Sequence, residues 1–84
     1  MDELEKYREL EVEYERNGFT HVPKCILLLK YYLCNRYLND ALRFAIKLNS
    51  SKVIKDIDAG GDKLQVLIRY IFKLHHEETI TTND

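Results

Sequence analysis

Between Val22 and Leu48 the chain reads VPKCILLLKYYLCNRYLNDALRFAIKL. In its first half Cys25, Ile26, Leu27, Leu28, Leu29, Tyr31, Tyr32 and Leu33 are broken by charge only at Lys30, with Lys24 just ahead. A run apolar on nearly every side is a helix covered on nearly every side or a fully buried strand, and a short run does not reveal its period. Leucine dominates over β-branched residues, and Pro23 suits a first helical turn, so the pattern predicts a helix. In the second half Leu38, Ala41, Leu42, Ala45 and Leu48 recur at helical spacing, beside a polar row of Asn39, Arg43 and Lys47. That spacing predicts a helix with one face inward, whose small Ala41 and Ala45 admit a close neighbour.

The flanks extend the pattern. From Asp2 to Asn17, Leu4, Tyr7, Leu10 and Tyr14 form one stripe, early acids suit the helix dipole, and Arg16 and Gly18 supply stop signals. The expectation is a lid helix on which Glu9, Glu11, Glu13 and Glu15 make a solvated face. Thr20 is expected to cap the next helix and His21 to be an ordinary loop residue. Asn49, Ser50 and Ser51 offer capping oxygens to a short helix marked by Val53, Ile54 and Ile57. Gly60 reads as a left-handed stop, and Asp62 with Gln65 as a capping pair for a last helix running from Lys63 to about His75. On that helix Leu64, Val66, Leu67, Ile68, Tyr70, Ile71, Phe72 and Leu74 make an apolar arc wider than one neighbouring hairpin covers. The excess predicts a partner surface, with Val66, Tyr70, Phe72 and, from the central hairpin, Tyr32 as partner-binding residues.

These elements define an all-α protein, a small bundle or short superhelix of about five helices in a helical-hairpin arrangement. One domain is expected over 1–78, followed by a flexible polar tail at 79–84. A chain of 84 residues buries only ~60–65% of the surface it exposes unfolded, so its core is thin.

Charge narrows the function classes. Thirteen basic against fourteen acidic residues, net −1, argue against a general nucleic-acid or anionic-membrane binder, and no candidate recognition helix gathers basic residues. The apolar stretch around Lys30 falls far short of the ~20 residues that span a bilayer. Cys25 and Cys34 lie on nearly opposite sides of one predicted helix and cannot bridge each other; both are expected to be buried apolar cysteines in a reducing compartment. Gly60 and Gly61 lie in no phosphate-cradling pattern, and the adjacent side chains of His75 and His76 diverge too far to share an ion. Without a nucleophile motif or an acid and base held together, the expectation is a non-catalytic protein that takes no cofactor, metal or small-molecule substrate. The acidic amino terminus reads as neither a secretory signal nor a transit peptide, which is consistent with a cytoplasmic protein.

Two resemblances sharpen this picture. Cys25-x2-Leu28-Leu29-x2-Tyr32 followed by Ala41-x3-Ala45 resembles the tetratricopeptide pattern at its leucine, tyrosine and first alanine. Phe19, Val22-Pro23, the apolar helix from Ile26 to Leu33 and Arg36-Tyr37-Leu38-Asn39-Asp40 resemble the motif of cytochrome c oxidase subunit Va, called VI in fungi. In that reading Pro23 starts the first helix, Leu38 plugs the turn, and Asn39 and Asp40 satisfy the free amides of the next helix. The resemblance implies an accessory subunit on the matrix side of the mitochondrial inner membrane, with haem and copper held by other subunits of the respiratory complex. The alternative is a free-standing helical adaptor that holds a peptide or partner helix.

Overall fold

A computed structural model describes residues 2–51 and 60–82; the short helix expected around Val53, Ile54 and Ile57 lies outside them. Four helices are described: α1 (Glu3–Arg16), α2 (Val22–Cys34), α3 (Leu38–Asn49) and α4 (Gly61–Thr82). No strand occurs among the described residues. α2 is the hub, packing against α1, α3 and α4, while α3 and α4 lie along each other.

The helix starts follow local chemistry, though not always at the expected residue. Asp2 accepts the Glu5 amide at 2.9 Å to open α1. At α2 the cap is His21 rather than Thr20: its Nδ1 accepts the Lys24 amide at 3.3 Å, and Pro23 sits in the first turn, where it needs no amide partner. α3 begins at Leu38, after Tyr37, with no side-chain cap. Asn39 and Asp40 therefore lie inside the first turn and do not cap it, and the half-buried Leu38 is the first helical residue. Ser50 and Ser51 hold the finish of α3, their hydroxyls donating to the carbonyls of Ile46 and Leu48. α4 starts at Gly61, so Asp62 is already in its first turn, and it continues to Thr82, well past the expected stop near His75 and through most of the expected tail. Gly60 has φ +96, the left-handed conformation its position predicts.

The two short connections use one device. In Tyr14-Glu15-Arg16-Asn17-Gly18-Phe19 the Phe19 amide returns to the Tyr14 carbonyl at 2.8 Å, and the Gly18 amide to Glu15 at 3.0 Å. In Tyr32-Leu33-Cys34-Asn35-Arg36-Tyr37 the Tyr37 amide returns to Tyr32 at 2.8 Å, and the Arg36 amide to Leu33 at 3.1 Å. Both are Schellman closures, which need one left-handed residue after the cap. The first supplies Gly18 at φ +70, followed by Phe19 at φ +57, and the second holds Arg36 at φ +62; at Phe19 and Arg36 a side chain is strained. Each turn thereby throws an aromatic ring back toward the core.

An aromatic chain threads that core. Phe19 packs on Phe44 at 5.9 Å, Phe44 meets Tyr32 edge-on at 6.2 Å, Tyr32 meets Tyr7 at 6.1 Å, and Tyr7 stacks on Tyr31 at 5.3 Å. Around it Leu28, Leu29, Ala41, Ala45, Leu48, Leu64 and Ile68 are buried. The small Ala41 and Ala45 are sealed completely. The molecule is a slab, 41 × 33 × 18 Å, and 18 Å is less than two helix diameters. Every helix therefore keeps a side toward solvent. α2 is not covered all round as its composition predicted: Leu27 and Tyr31 remain 48% and 40% exposed. Cys25 and Cys34 do face opposite ways, Cys25 buried and Cys34, against expectation, exposed; both are free thiols. Burial pushes the Cys25 thiol up to about 11, so it stays protonated and inert.

The turn geometry sets a reciprocal test. Nothing lies within 4 Å of a Cβ added at Gly18, so Gly18→Ala measures left-handed strain alone and is expected to cost about 1 kcal/mol. Arg36→Gly relieves the same strain and is expected to stabilise by about 0.5–1 kcal/mol, a rise of a few degrees in melting temperature by circular dichroism. A loss of stability in Arg36→Gly would contradict this account of the second turn.

Candidate functional site

Three features of the slab combine residues from separate elements: a charged seam between α1 and α3, an apolar groove between α2 and α4, and a polar hollow between the end of α1 and the start of α2, lined by Glu13, Tyr14, Asn17, Thr20, His21 and Lys24.

The seam is built on Glu11, which is 2% exposed despite its place in a run of alternating glutamates. Its Oε1 accepts from Tyr32 OH at 2.8 Å and from Arg43 Nη2 at 2.7 Å; its Oε2 accepts from Arg43 Nε and Lys47 Nζ, each at 3.1 Å. The Arg43 guanidinium thus forks onto the carboxylate and uses Nη1 to reach Asp40 Oδ1 at 2.8 Å. Asp40 also receives Arg8 Nε at 2.8 Å, and Lys47 closes the other end on Glu15 at 2.9 Å. Arg8, Glu11 and Glu15 share one face of α1, and Asp40, Arg43 and Lys47 share one face of α3, so charges alternate along the seam. Among the described residues no buried side-chain nitrogen or oxygen lacks a partner.

Burial raises the Glu11 carboxyl, but the hydrogen bonds from Arg43, Tyr32 and Lys47 outweigh it and hold the group below its ordinary value. Asp40 follows the same balance: burial raises it, and the bonds from Arg8 and Arg43 bring it below its ordinary value. Burial and the bond to Glu11 push the Tyr32 hydroxyl up, so it remains the donor. Nothing in this arrangement is an unoccupied position for a reactant; the seam is a clasp between helices.

Of the surface hollows described, the groove between α2 and α4 is the most apolar. It encloses about 370 Å³ between Ile26 and Lys30 of α2 and Lys63, Val66, Leu67 and Tyr70 of α4. α4 turns only a narrow stripe inward, Leu64, Ile68 and Ile71, and leaves Val66 67% and Tyr70 54% exposed on the groove side. Ile26 and Leu67 are half buried, and Lys30 and Lys63 stand exposed at the rim.

The residues singled out from sequence separate accordingly. Val66 and Tyr70 are brought together in the groove. Phe72 packs half-buried against the core and does not line it. Tyr32 is completely buried and commits its hydroxyl to Glu11, which corrects its assignment as a partner-binding residue. Asp40, assigned to the turn, is a buried member of the seam. Ile26, Lys30, Lys63 and Leu67 join the site without having been singled out, although each helix signals its share by spacing: Ile26 with Lys30, and Lys63 with Val66, Leu67 and Tyr70, fall three and four apart.

Among the described residues no group of three or more His, Cys, Asp or Glu is placed to hold a metal ion. None of the described helices is long and apolar enough to cross a membrane. No protein-family model matches the chain, and comparisons with curated proteins and with solved structures return no match.

The seam predicts how stability depends on pH. Glu11 and Asp40 sit below their ordinary values of 4.5 and 3.8, so they stabilise the fold fully above that range and cease to as pH falls through their folded values. Lys47, held above its ordinary 10.5 by its bonds to Glu15 and Glu11, contributes fully below that pH and is lost as pH rises through its folded value. Glu11→Gln keeps the shape but turns an amide toward the donors of Arg43 and Lys47. It is expected to cost about 1–3 kcal/mol at neutral pH and to flatten the loss of stability between about pH 5 and 3, measured by urea unfolding at each pH.

Proposed function

We propose that this chain is a non-catalytic helical interaction module, an accessory subunit or adaptor that receives a partner segment in the α2–α4 groove. One observation carries the reading. Val66 and Tyr70, four apart on α4, stay more than half exposed over an apolar floor formed with Ile26 and Leu67, although the same helix seals Leu64, Ile68 and Ile71. Apolar surface left open over such a floor is area that a partner segment gains by covering. Glu11, Asp40, Arg43 and Tyr32 are committed to one another in the seam. As a subunit its larger assembly is, by resemblance, the mitochondrial terminal oxidase; that extension rests on the Phe19 to Asp40 motif alone.

The reading is tested with a photo-reactive side chain at position 66 in the full chain, illuminated in its native extract. It expects one discrete adduct, absent when the reactive group sits at Glu9 on the far helix and lost when Tyr70→Asp is added. Tyr70 is 54% exposed, so the charged replacement is expected to leave helicity unchanged by circular dichroism. The same smear of adducts from positions 66 and 9 would remove the proposal.

A further inference from the structure

We infer that the occupant of the α2–α4 groove is an acidic amphipathic helix from another protein, held by its apolar stripe on Val66 and Tyr70 and by its carboxylates on Lys30 and Lys63; this refinement rests on the docking reading above. The charges on the groove are of one sign. Lys30 and Lys63 rim it from opposite walls and no acidic residue lines it; beyond the groove α4 exposes Arg69 and Lys73 together with Asp62, Glu77 and Glu78, so the one-sign charge is confined to the groove itself. The cations of the seam, Arg8, Arg43 and Lys47, are all neutralised by α1 and α3 carboxylates, whereas Lys30 and Lys63 have no ion-pair partner among the described residues. A net charge of −1 therefore conceals a basic rim around the one apolar groove of this kind described, while α1 exposes Glu5, Glu9 and Glu13 elsewhere. Opposite charge around an apolar anchor sets the orientation and encounter rate of a partner.

Shape selects a helix over an extended peptide. No strand occurs among the described residues, so an extended segment has no described sheet edge to extend, whereas two neighbouring helices offer a cleft into which a third lays its apolar stripe. From Lys63 to Tyr70 the α4 wall runs about 10 Å, two helical turns, which matches anchors spaced three and four apart on the occupant. A second copy of this chain fits less well. The outer face of α1 has acids but a single exposed apolar residue, Val12, between Glu9, Glu13 and Arg16.

The probes are two stapled helical peptides with leucines three and four apart, one flanked by glutamates and the other identical but for lysines in their place. With the full chain, fluorescence anisotropy is expected to show the acidic peptide binding at least about tenfold tighter at low salt, with the gap narrowing as salt is added. The double variant Lys30→Glu with Lys63→Glu is expected to invert that preference, and Val66→Asp to abolish binding of both. Equal binding of the two peptides, still lost in Val66→Asp, would overturn the charge assignment while leaving the groove a docking site. Binding of neither, or binding indifferent to Val66→Asp, would overturn this inference and weaken the docking reading with it. Preference for phosphatidylserine vesicles over the acidic peptide, or self-association in sedimentation that Val66→Asp disrupts, would reassign the groove to a lipid surface or a second copy and overturn the inference equally.

Discussion

A buried carboxylate organises this slab. Glu11 is the only residue that α1 buries fully; Leu4, Tyr7, Leu10 and Tyr14, its apolar stripe, are only partly covered. Taking one charge out of water costs several kcal/mol, and that cost is offset only where donors meet every lone pair at good distance. Here the hydroxyl of Tyr32, the fork of Arg43 and the ammonium of Lys47 do so together. Shifting α1 by one turn so that Glu11 took the place of Arg8 would set its carboxylate against that of Asp40. Attraction within a buried pair and the desolvation it requires nearly cancel, so the clasp adds little net stability while removing one partner would be costly.

The placement of α1 shapes the rest. With α1 held over the Tyr31 and Tyr32 side of α2 by the stacked and edge-on contacts of Tyr7, the remaining flank of α2 is shared between α3 and α4. α4 packs more extensively on α3 than on α2, and the groove lies between α2 and α4 at Ile26 and Leu67. In a thicker protein another layer would fill such a gap. At 18 Å there is none to do so, and Val66 and Tyr70 face outward.

The division between rigid and open surface follows charge as well. Opposite signs meet within the seam and neutralise one another, leaving it closed to outside ligands. Like signs gather at the groove, where Lys30 and Lys63 remain for something else to meet. The same chemical group, an ammonium on a flexible stem, is paired with carboxylates at Lys47 and has no ion-pair partner among the described residues at Lys63.

How much of this was legible in the chain differs from one level to the next. The 3.6-residue spacing of Leu38, Ala41, Ala45 and Leu48, the proline at the head of α2 and Gly18 after α1 determined helices and a stop, because those preferences are local and steric. The inward stripe of α4 and the exposed pair Val66 and Tyr70 were likewise within reach of periodicity. Glu11 was not: alternating glutamates look identical when viewed as a pattern, and only the arrival of Arg43 and Lys47 from α3 makes one of them a core residue. Tyr32 and Asp40 were misplaced for the same reason, one read as surface and the other as a cap. Periodicity tells which residues share a face of a helix, while the face it meets is chosen by packing between segments far apart in sequence. That choice, made in three dimensions, decided which charges vanish into the clasp and which stand at the groove.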